Sequence, residues 1–347
     1  MRKQTYARAG VDPRKVRRLH SILAVKIAST HSLRSEGEGN PLLPIGHYAG
    51  LIDIGGTRAL ALHTDGVGSK VLIAQKMKKF DTVGVDCVAM TVNDLICLGA
   101  EPVALLDYVA LEKENDRLVS ELAKGLVRGA KLSKTPIVGG ETAILGDIVR
   151  GENGEGFDLV SMGVGLVEKS AVLDGRAVEA GDVVLGVESS GLHSNGYTLA
   201  RMIIGDTPLH RRVQELDTTL GEALLAPTYV YVEPALRAIK TLEVHGLAHI
   251  TGGSFAKLSR LAGSRRLAFD LTLPEAPPIF GLLQRMGGVS DREMMSTFNM
   301  GIGLCVIMPA GDAGRASRLF GRYGFATYDL GSVKTGSGVV VNGERLG

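Results

Sequence analysis

The chain has 347 residues and 45% hydrophobic composition, more than one typical domain of about 100–200 residues needs, so two packed domains are expected. With 39 Lys plus Arg against 37 Asp plus Glu, the net charge of +2 excludes a broad electrostatic drive toward nucleic acid or an anionic membrane. The 46 glycines lack a G-X-Y period, which excludes collagen, and 5% aromatics with no Trp argue against a base-stacking strand binder.

The first 57 residues are polar and punctuated by Gly and Pro, with a helix candidate at VRRLHSILAVKIAST and a loop at SEGEGNPLLPIGHYAG, and are predicted to form an arm. From residue 58 the pattern is regular: RALALHT reads as a strand, VDCVAMTVNDLICLG as a helix, VALLDYVAL as a strand, RLVSELAKGLVRGAKL as a helix, then TPIVGGE and FDLVSMGVGLVE as strands. The charged, turn-rich EKSAVLDGRAVEAGD ends this run. It sets a first domain at 58–168 and a second at 169–347. The second opens with the strand VVLGVESS and a helix near Asn195. PTYVYVEPALRAIKTLEVHG reads as mostly helical, LAHITGGSFAKLSRL as strand, Gly-Gly turn and helix, NMGIGLCVIMP as a strand and the terminus as a hairpin. The fold class is α+β. Cys87, Cys97 and Cys305 form no Cys-x-x-Cys pair, which suits a reducing cytoplasm, and no apolar run is long enough for a signal peptide or membrane span.

Chemistry is suggested where strands end in glycine. In HTDGVGSK, Asp65, Gly66, Gly68, Ser69 and Lys70 follow a strand within six residues, so backbone amides and a cation can approach one anion; the spacing is not that of a Walker loop, and an ordinary aspartate turn is the other reading. On the following helix Val88, Val92 and Ile96 make an apolar stripe that Asp86, Asn93 and Asp94 interrupt. Carboxylates in such surroundings must be paired or metal-bound, or, for Asp86, cap the helix. VGGETA places Gly139, Gly140, Glu141 and Thr142 at a strand exit, and if the strands are parallel Glu141 comes near Asp65, as a magnesium ion would require. In SSGLHSNG, His193, Ser194 and Asn195 enter a helix where a phosphate can dock or a cap can form. AHITGG repeats the design with His249, Thr251, Gly252 and Gly253, His249 being an acid/base candidate.

In this order the strings HTDGVGSK, FDTVGVDCVAMTVNDLICLGAEPVALLDYVA, VGGETA, SSGLHSNGYTLAR, LLAPTYVYV, AHITGG and TFNMGIG resemble aminoimidazole ribonucleotide synthetase, also called phosphoribosylformylglycinamidine cyclo-ligase. The likeness runs from YARAGVD to about residue 305, and its C-terminal spacing is nearer to archaeal members. The resemblance implies an ATP-dependent enzyme that closes the imidazole ring of formylglycinamidine ribonucleotide, and an N-terminal domain whose strands pair into a barrel across a homodimer. It implies Asp65, Asp94 and Glu141 as Mg2+ residues, Lys70 as the cation at the phosphates, and Asp65, Lys70 and His249 as catalytic. ATP and its phosphates would meet Gly66, Gly68, Ser69, Asn93, Gly139, Gly140 and Thr142; substrate would meet His193, Ser194, Asn195, Thr251, Gly252 and Gly253.

Three departures stand out. Ile144, Leu145 and Gly146 follow Ala143 where bacterial members carry a glutamate and a proline, Ser254 replaces a third glycine, and GNPLLPIGHYAG replaces a glycine-rich segment. Thiamine-monophosphate kinase, selenophosphate synthetase and the hydrogenase maturation factor share the architecture, but the N-terminal-loop cysteine and C-terminal cysteine that mark members of this group are missing here. A non-catalytic ATP-binding regulator would not need so many costly polar groups in apolar surroundings.

Overall fold

The computed structural model describes residues 4–10 and 12–346; Val11 of the YARAGVD string and residues 1–3 of the arm lie outside them. In chain order the helices and strands are α1 (Pro13–Ala28), β1 (Gly50–Asp53), β2 (Arg58–Gly66), α2 (Val71–Met77), α3 (Asp81–Ile96), β3 (Glu101–Leu111), α4 (Asp116–Ser133), β4 (Ile137–Ile144) and β5 (Phe157–Glu168). Then follow β6 (Val183–Glu188), α5 (Tyr197–Ile204), β7 (Arg212–Val213), β8 (Thr218–Thr219), α6 (Leu220–Leu225), α7 (Val232–Thr241), β9 (Gly246–His249), α8 (Ser259–Ala262) and β10 (Leu267–Leu271). The chain closes with α9 (Pro278–Gly287), α10 (Asp291–Thr297), β11 (Ile302–Met308), α11 (Ala310–Arg322), β12 (Thr327–Thr335), β13 (Gly338–Val341) and β14 (Glu344–Leu346).

The strands up to β5 form a five-stranded sheet in the order β1-β2-β5-β3-β4, and those from β6 onward, apart from the short β7-β8 pair, form a seven-stranded sheet ordered β14-β13-β10-β12-β6-β11-β9. The mixed α+β class follows. The end of the expected arm is itself a strand, since β1 pairs antiparallel with β2. β3, α4 and β4 make a βαβ unit, with β3 and β4 parallel. The stretch read as mostly helical from Pro227 is helical only over α7, and the terminal hairpin is β13 with β14, while β12 pairs with β10 and β6.

Helix α3 is the centre of the molecule. Every residue from Thr82 to Ile96 is buried, because the helix lies on the first sheet, packs against α4, and meets α7 and β9 of the second half. Its approach to α4 is backbone to backbone: a Cβ on Gly84 would lie 2.6 Å from Leu122 O, and one on Gly125 would lie 1.9 Å from Asp81 O. Only glycine fits such a crossing. Asp86 therefore sits inside the helix, which begins at Asp81, and does not cap it.

Candidate active site

Alternation along β2 puts Ala59, Ala61, His63 and Asp65 on one face, and the two alanines are fully buried. His63 and Asp65 thereby reach the α3 side. Across the sheet Asp65 registers with Ser161, Ser161 with Asp107, and Asp107 with Gly140. Ser161 confirms the facing, since its hydroxyl donates to the carbonyl of Cys87 on α3 at 2.8 Å. Asp65 accepts from the Gly66 amide at 2.7 Å, and Gly68 turns the chain with φ +65°.

Asp94, near the end of α3, is bracketed by two histidines from different halves. Its Oδ1 lies 2.7 Å from His249 Nδ1, and its Oδ2 lies 3.4 Å from His63 Nε2. The Asn93 amide approaches His249 Nε2 at 3.5 Å, so the network sets the imidazole proton on Nδ1, directed at Asp94. Burial alone would raise the Asp94 carboxyl, but Lys257, His249 and His63 outweigh it and hold the group well below the usual carboxylate range. Asp65 moves the opposite way, raised by burial and then by the neighbouring Asp94 charge. Burial lowers His249 despite Asp94, and burial lowers His193 further, helped by His249 and Lys70. The Asp94 carboxylate thus meets, in His249, an imidazole that favours the neutral form.

The loop into α5 closes the site. Ser194 donates to Val67 O at 2.9 Å, Ser69 and Thr198 share a hydroxyl contact at 3.3 Å, and Gly252 lies beside Asn195, so the two glycine-rich segments meet between the sheets. His193 is fully buried at φ +58°, its Nε2 accepting from the Ser190 amide at 3.2 Å. Thr251 is buried, while Gly252 and Gly253 are exposed at the rim. Two members of this site are not among the residues singled out from the glycine motifs, although His63 opens HTDGVGSK. His63 is legible only as the residue two before Asp65 on an alternating strand, and Lys257 only as a cation one short turn beyond Gly253.

Other expected site residues do different work. Lys70 is not the cation at the phosphates: its ammonium is 0% exposed and donates to Asp86 at 3.0 Å, His193 O at 2.8 Å and Ala226 O at 2.7 Å. An ammonium has three protons, and all three are spent. Asp86 also accepts from Thr228 N at 2.7 Å and Thr228 Oγ1 at 2.6 Å, which makes this a charged bracket between the halves. Asn93 holds backbone as well, donating to Tyr229 O at 2.8 Å and accepting from Tyr231 N at 3.0 Å.

Glu141 does not join Asp65 and Asp94 within one chain. It lies inside β4, not past its end, and registers with Tyr108, one residue beyond the Asp107–Gly140 pair, so it points to the opposite face of the sheet from Asp65. Three strand spacings, about 14 Å, separate it further. Gly139, Gly140 and Thr142 share this exposed edge strand, away from the Asp65–Asp94 pair. Among the described residues no group of three or more His, Cys, Asp or Glu side chains is arranged to hold a metal ion. Asp65 with Asp94 nonetheless suits magnesium, which takes one or two carboxylates and leaves its other positions to phosphate and water.

The N-terminal domain model of the AIR synthase related proteins matches residues 46–167, and the C-terminal domain model matches 179–344. The chain belongs to the AIR synthase related family. Among curated relatives, phosphoribosylformylglycinamidine cyclo-ligase of Methanococcoides burtonii is 49% identical, covering 91% of this chain and 92% of its own. The Pyrococcus furiosus protein of the same name is 44% identical, covering 97% of each. Solved structures share the fold at lower identity. Protein tt0281 of Thermus thermophilus matches with TM-score 0.64 and 22% identity over 92% of this chain and 96% of its own; AaThiL complexed with AMPPCP and TMP matches with TM-score 0.64 and 18% identity over 93% of each.

Proposed function

We propose that the chain is a phosphoribosylformylglycinamidine cyclo-ligase, which uses ATP to convert formylglycinamidine ribonucleotide to aminoimidazole ribonucleotide, releasing ADP and phosphate in purine synthesis. The observation that carries this reading is the 49% identity, over nine-tenths of both chains, to a relative bearing that name. The chemistry suits the site. An amide oxygen is a poor leaving group; once it takes the terminal phosphoryl group of ATP, the ribose-bearing nitrogen attacks the formyl carbon and phosphate departs.

In this chain Asp65 and Asp94 would hold Mg2+ with the phosphates, and the ion would offset charge on the transferred group. His249, with its proton on Nδ1 toward Asp94, has Nε2 in the acceptor form beside the Asn93 amide, and as a proton carrier it would exchange that long contact for substrate. His193, Ser194 and Asn195 line the substrate side, with Thr251, Gly252 and Gly253 opposite. Asn93 holds the Tyr229–Tyr231 segment in place beside His193.

The protein acts as a homodimer in this reading. The sheet face turned away from α3 exposes Leu106 (37%), Tyr108 (36%) and Met162 (38%), and a second copy covering that face would complete a barrel. No helix of the described residues is long and apolar enough to cross a membrane. A soluble, cytoplasmic enzyme acting on small molecules, with no nucleic-acid partner, fits this reading. ADP release with ATP, Mg2+ and formylglycinamidine ribonucleotide, and none with thiamine monophosphate, is the expected result. Release with thiamine monophosphate alone would make it a kinase, release with neither a regulator, and a monomer by light scattering at micromolar concentration would remove the dimer.

A further inference from the structure

Sealing Lys70 inside the bracket with Asp86 takes its ammonium out of reach of a phosphate beside Asp65 and Asp94. We propose that Lys257 is the cation there: its ammonium contacts the phosphoryl groups of the nucleotide and stays on the transferred group through the reaction. The inference rests on the cyclo-ligase reading for its reaction, but only on nucleotide binding for its contact.

Lys257 stands on the short turn of Ser254–Leu258 that follows Gly252 and Gly253, directly after the strand carrying His249. The only hydrogen bond of its ammonium among the described residues is to the hydroxyl of the buried Thr251. An ammonium has three rotatable donors, so two are left for a ligand. Thr251 lies two residues after His249, whose imidazole bonds Asp94 at 2.7 Å, so the ammonium that reaches Thr251 sits at the Asp94 end of the site. Lys257 as a residue is half-buried, whereas Lys70 is fully buried.

The backing of this turn is built to hold positive charge toward the cleft. The fully buried ring of Tyr48 lies 5.8 Å from the Lys257 ammonium and 5.1 Å from the Arg260 guanidinium, and the Tyr48 hydroxyl donates to Lys257 O at 3.4 Å. Two like charges against one ring repel each other, and an anion before Lys257 relieves that repulsion. Opposite stand Asp65 and Asp94. A polyphosphate with a divalent cation complements both walls at once, the metal on the carboxylates and the phosphate oxygens on Lys257. In the transfer, the bond from the terminal phosphorus to the ADP oxygen breaks and the bond to the formyl oxygen forms, while Lys257 remains an ammonium and offsets charge on the equatorial oxygens.

The test compares Lys257→Met and Lys257→Arg with the full-length wild type. Binding of ATP and of AMP, each with Mg2+, is followed by calorimetry, and ADP release is measured with formylglycinamidine ribonucleotide. The expected result is at least about a tenfold loss of ATP affinity with AMP affinity unchanged, and a fall in kcat of about 10²–10³-fold for Lys257→Met, partly restored in Lys257→Arg. Equal losses for ATP and AMP would show that Lys257 only shapes the turn, and kcat and ATP affinity within about threefold of wild type would remove it from the site altogether; either result overturns the proposal. If the wild type releases no ADP with this substrate, the cyclo-ligase reading fails on its own. The ATP-against-AMP contrast still decides the Lys257 contact.

Discussion

Two polar clusters join the halves of the molecule through the same helix, eight residues apart on α3. At Asp86 the cluster is closed: the Lys70 ammonium meets three acceptors, and Thr228 adds two donors to the carboxylate. At Asp94 it is open, with two histidines on the carboxylate, Asp65 alongside and Lys257 spending one proton on Thr251. Both are buried, and both carry charges that cost free energy to desolvate. The difference is saturation. The Lys70 ammonium, with all three protons taken by the chain, holds structure, whereas Lys257, with one proton taken among the described residues, can bind a ligand with the other two.

The largest effect that would break this contrast is expected at the closed cluster. Lys70→Met strands the Asp86 carboxylate in a dry interior and should cost about 3–5 kcal/mol of stability, read from urea unfolding. Lys70→Met/Asp86→Asn should recover part of that loss, because Asn keeps an acceptor for Thr228 and no charge is left unpaired. A Lys70→Met protein as stable as wild type, but inactive, would return Lys70 to the phosphates. At the open cluster the balance reverses. Asp65→Ala should keep or raise stability, since it relieves repulsion with Asp94, yet lower kcat by about 10²–10³-fold. Near-full activity in that variant would remove Asp65 from the mechanism.

How far the sequence announces this contrast depends on the range of the interactions. Strand β5 is found at the residues its alternation marks, 157–168, because period-two patterning is local. The start of α3 is not: Gly84 looks like a helix boundary, but it lies within the helix because the α4 backbone packs against it. The glycine motifs locate His249 and the Asp65 turn, yet they also draw in Lys70 and Glu141. Nothing near Lys70 in the chain reveals that carbonyls of His193 and Ala226, more than a hundred residues on, will take its protons. Glu141 is lost to a parity rule, one residue of register turning it to the other face of the sheet. Lys257 is invisible for the converse reason: its neighbours Tyr48 and Asp94 come from distant segments, and no local motif marks them.

The smallest expected effect lies at the other end of β9, where the contrast can be drawn within a few residues. His249 and His245 each contact an aspartate, at 2.7 Å and 2.8 Å, but His245 has a second carboxylate, Glu243, 3.3 Å from its Nε2. Burial pulls both imidazoles down. At His249 it prevails, whereas at His245 the bonds to Asp182 and Glu243 overcome it and the group is raised above its ordinary value. A raised value in the fold means that His245 contributes its full stabilisation below the unfolded value of about 6.5 and loses it as pH climbs through the folded one. Replacement by Gln should therefore lower Tm most near pH 5.5 to 6 and progressively less toward pH 8 to 9. The loss should be on the order of 1–2 kcal/mol, because the exposed Glu243 is screened while the buried Asp182 keeps the Glu179 amide as a donor. Activity at fixed pH should not move, because this pair is closed on itself and lies away from the cleft. A His245→Gln protein whose Tm falls equally at all pH values would show that the imidazole acts there by packing and not by charge.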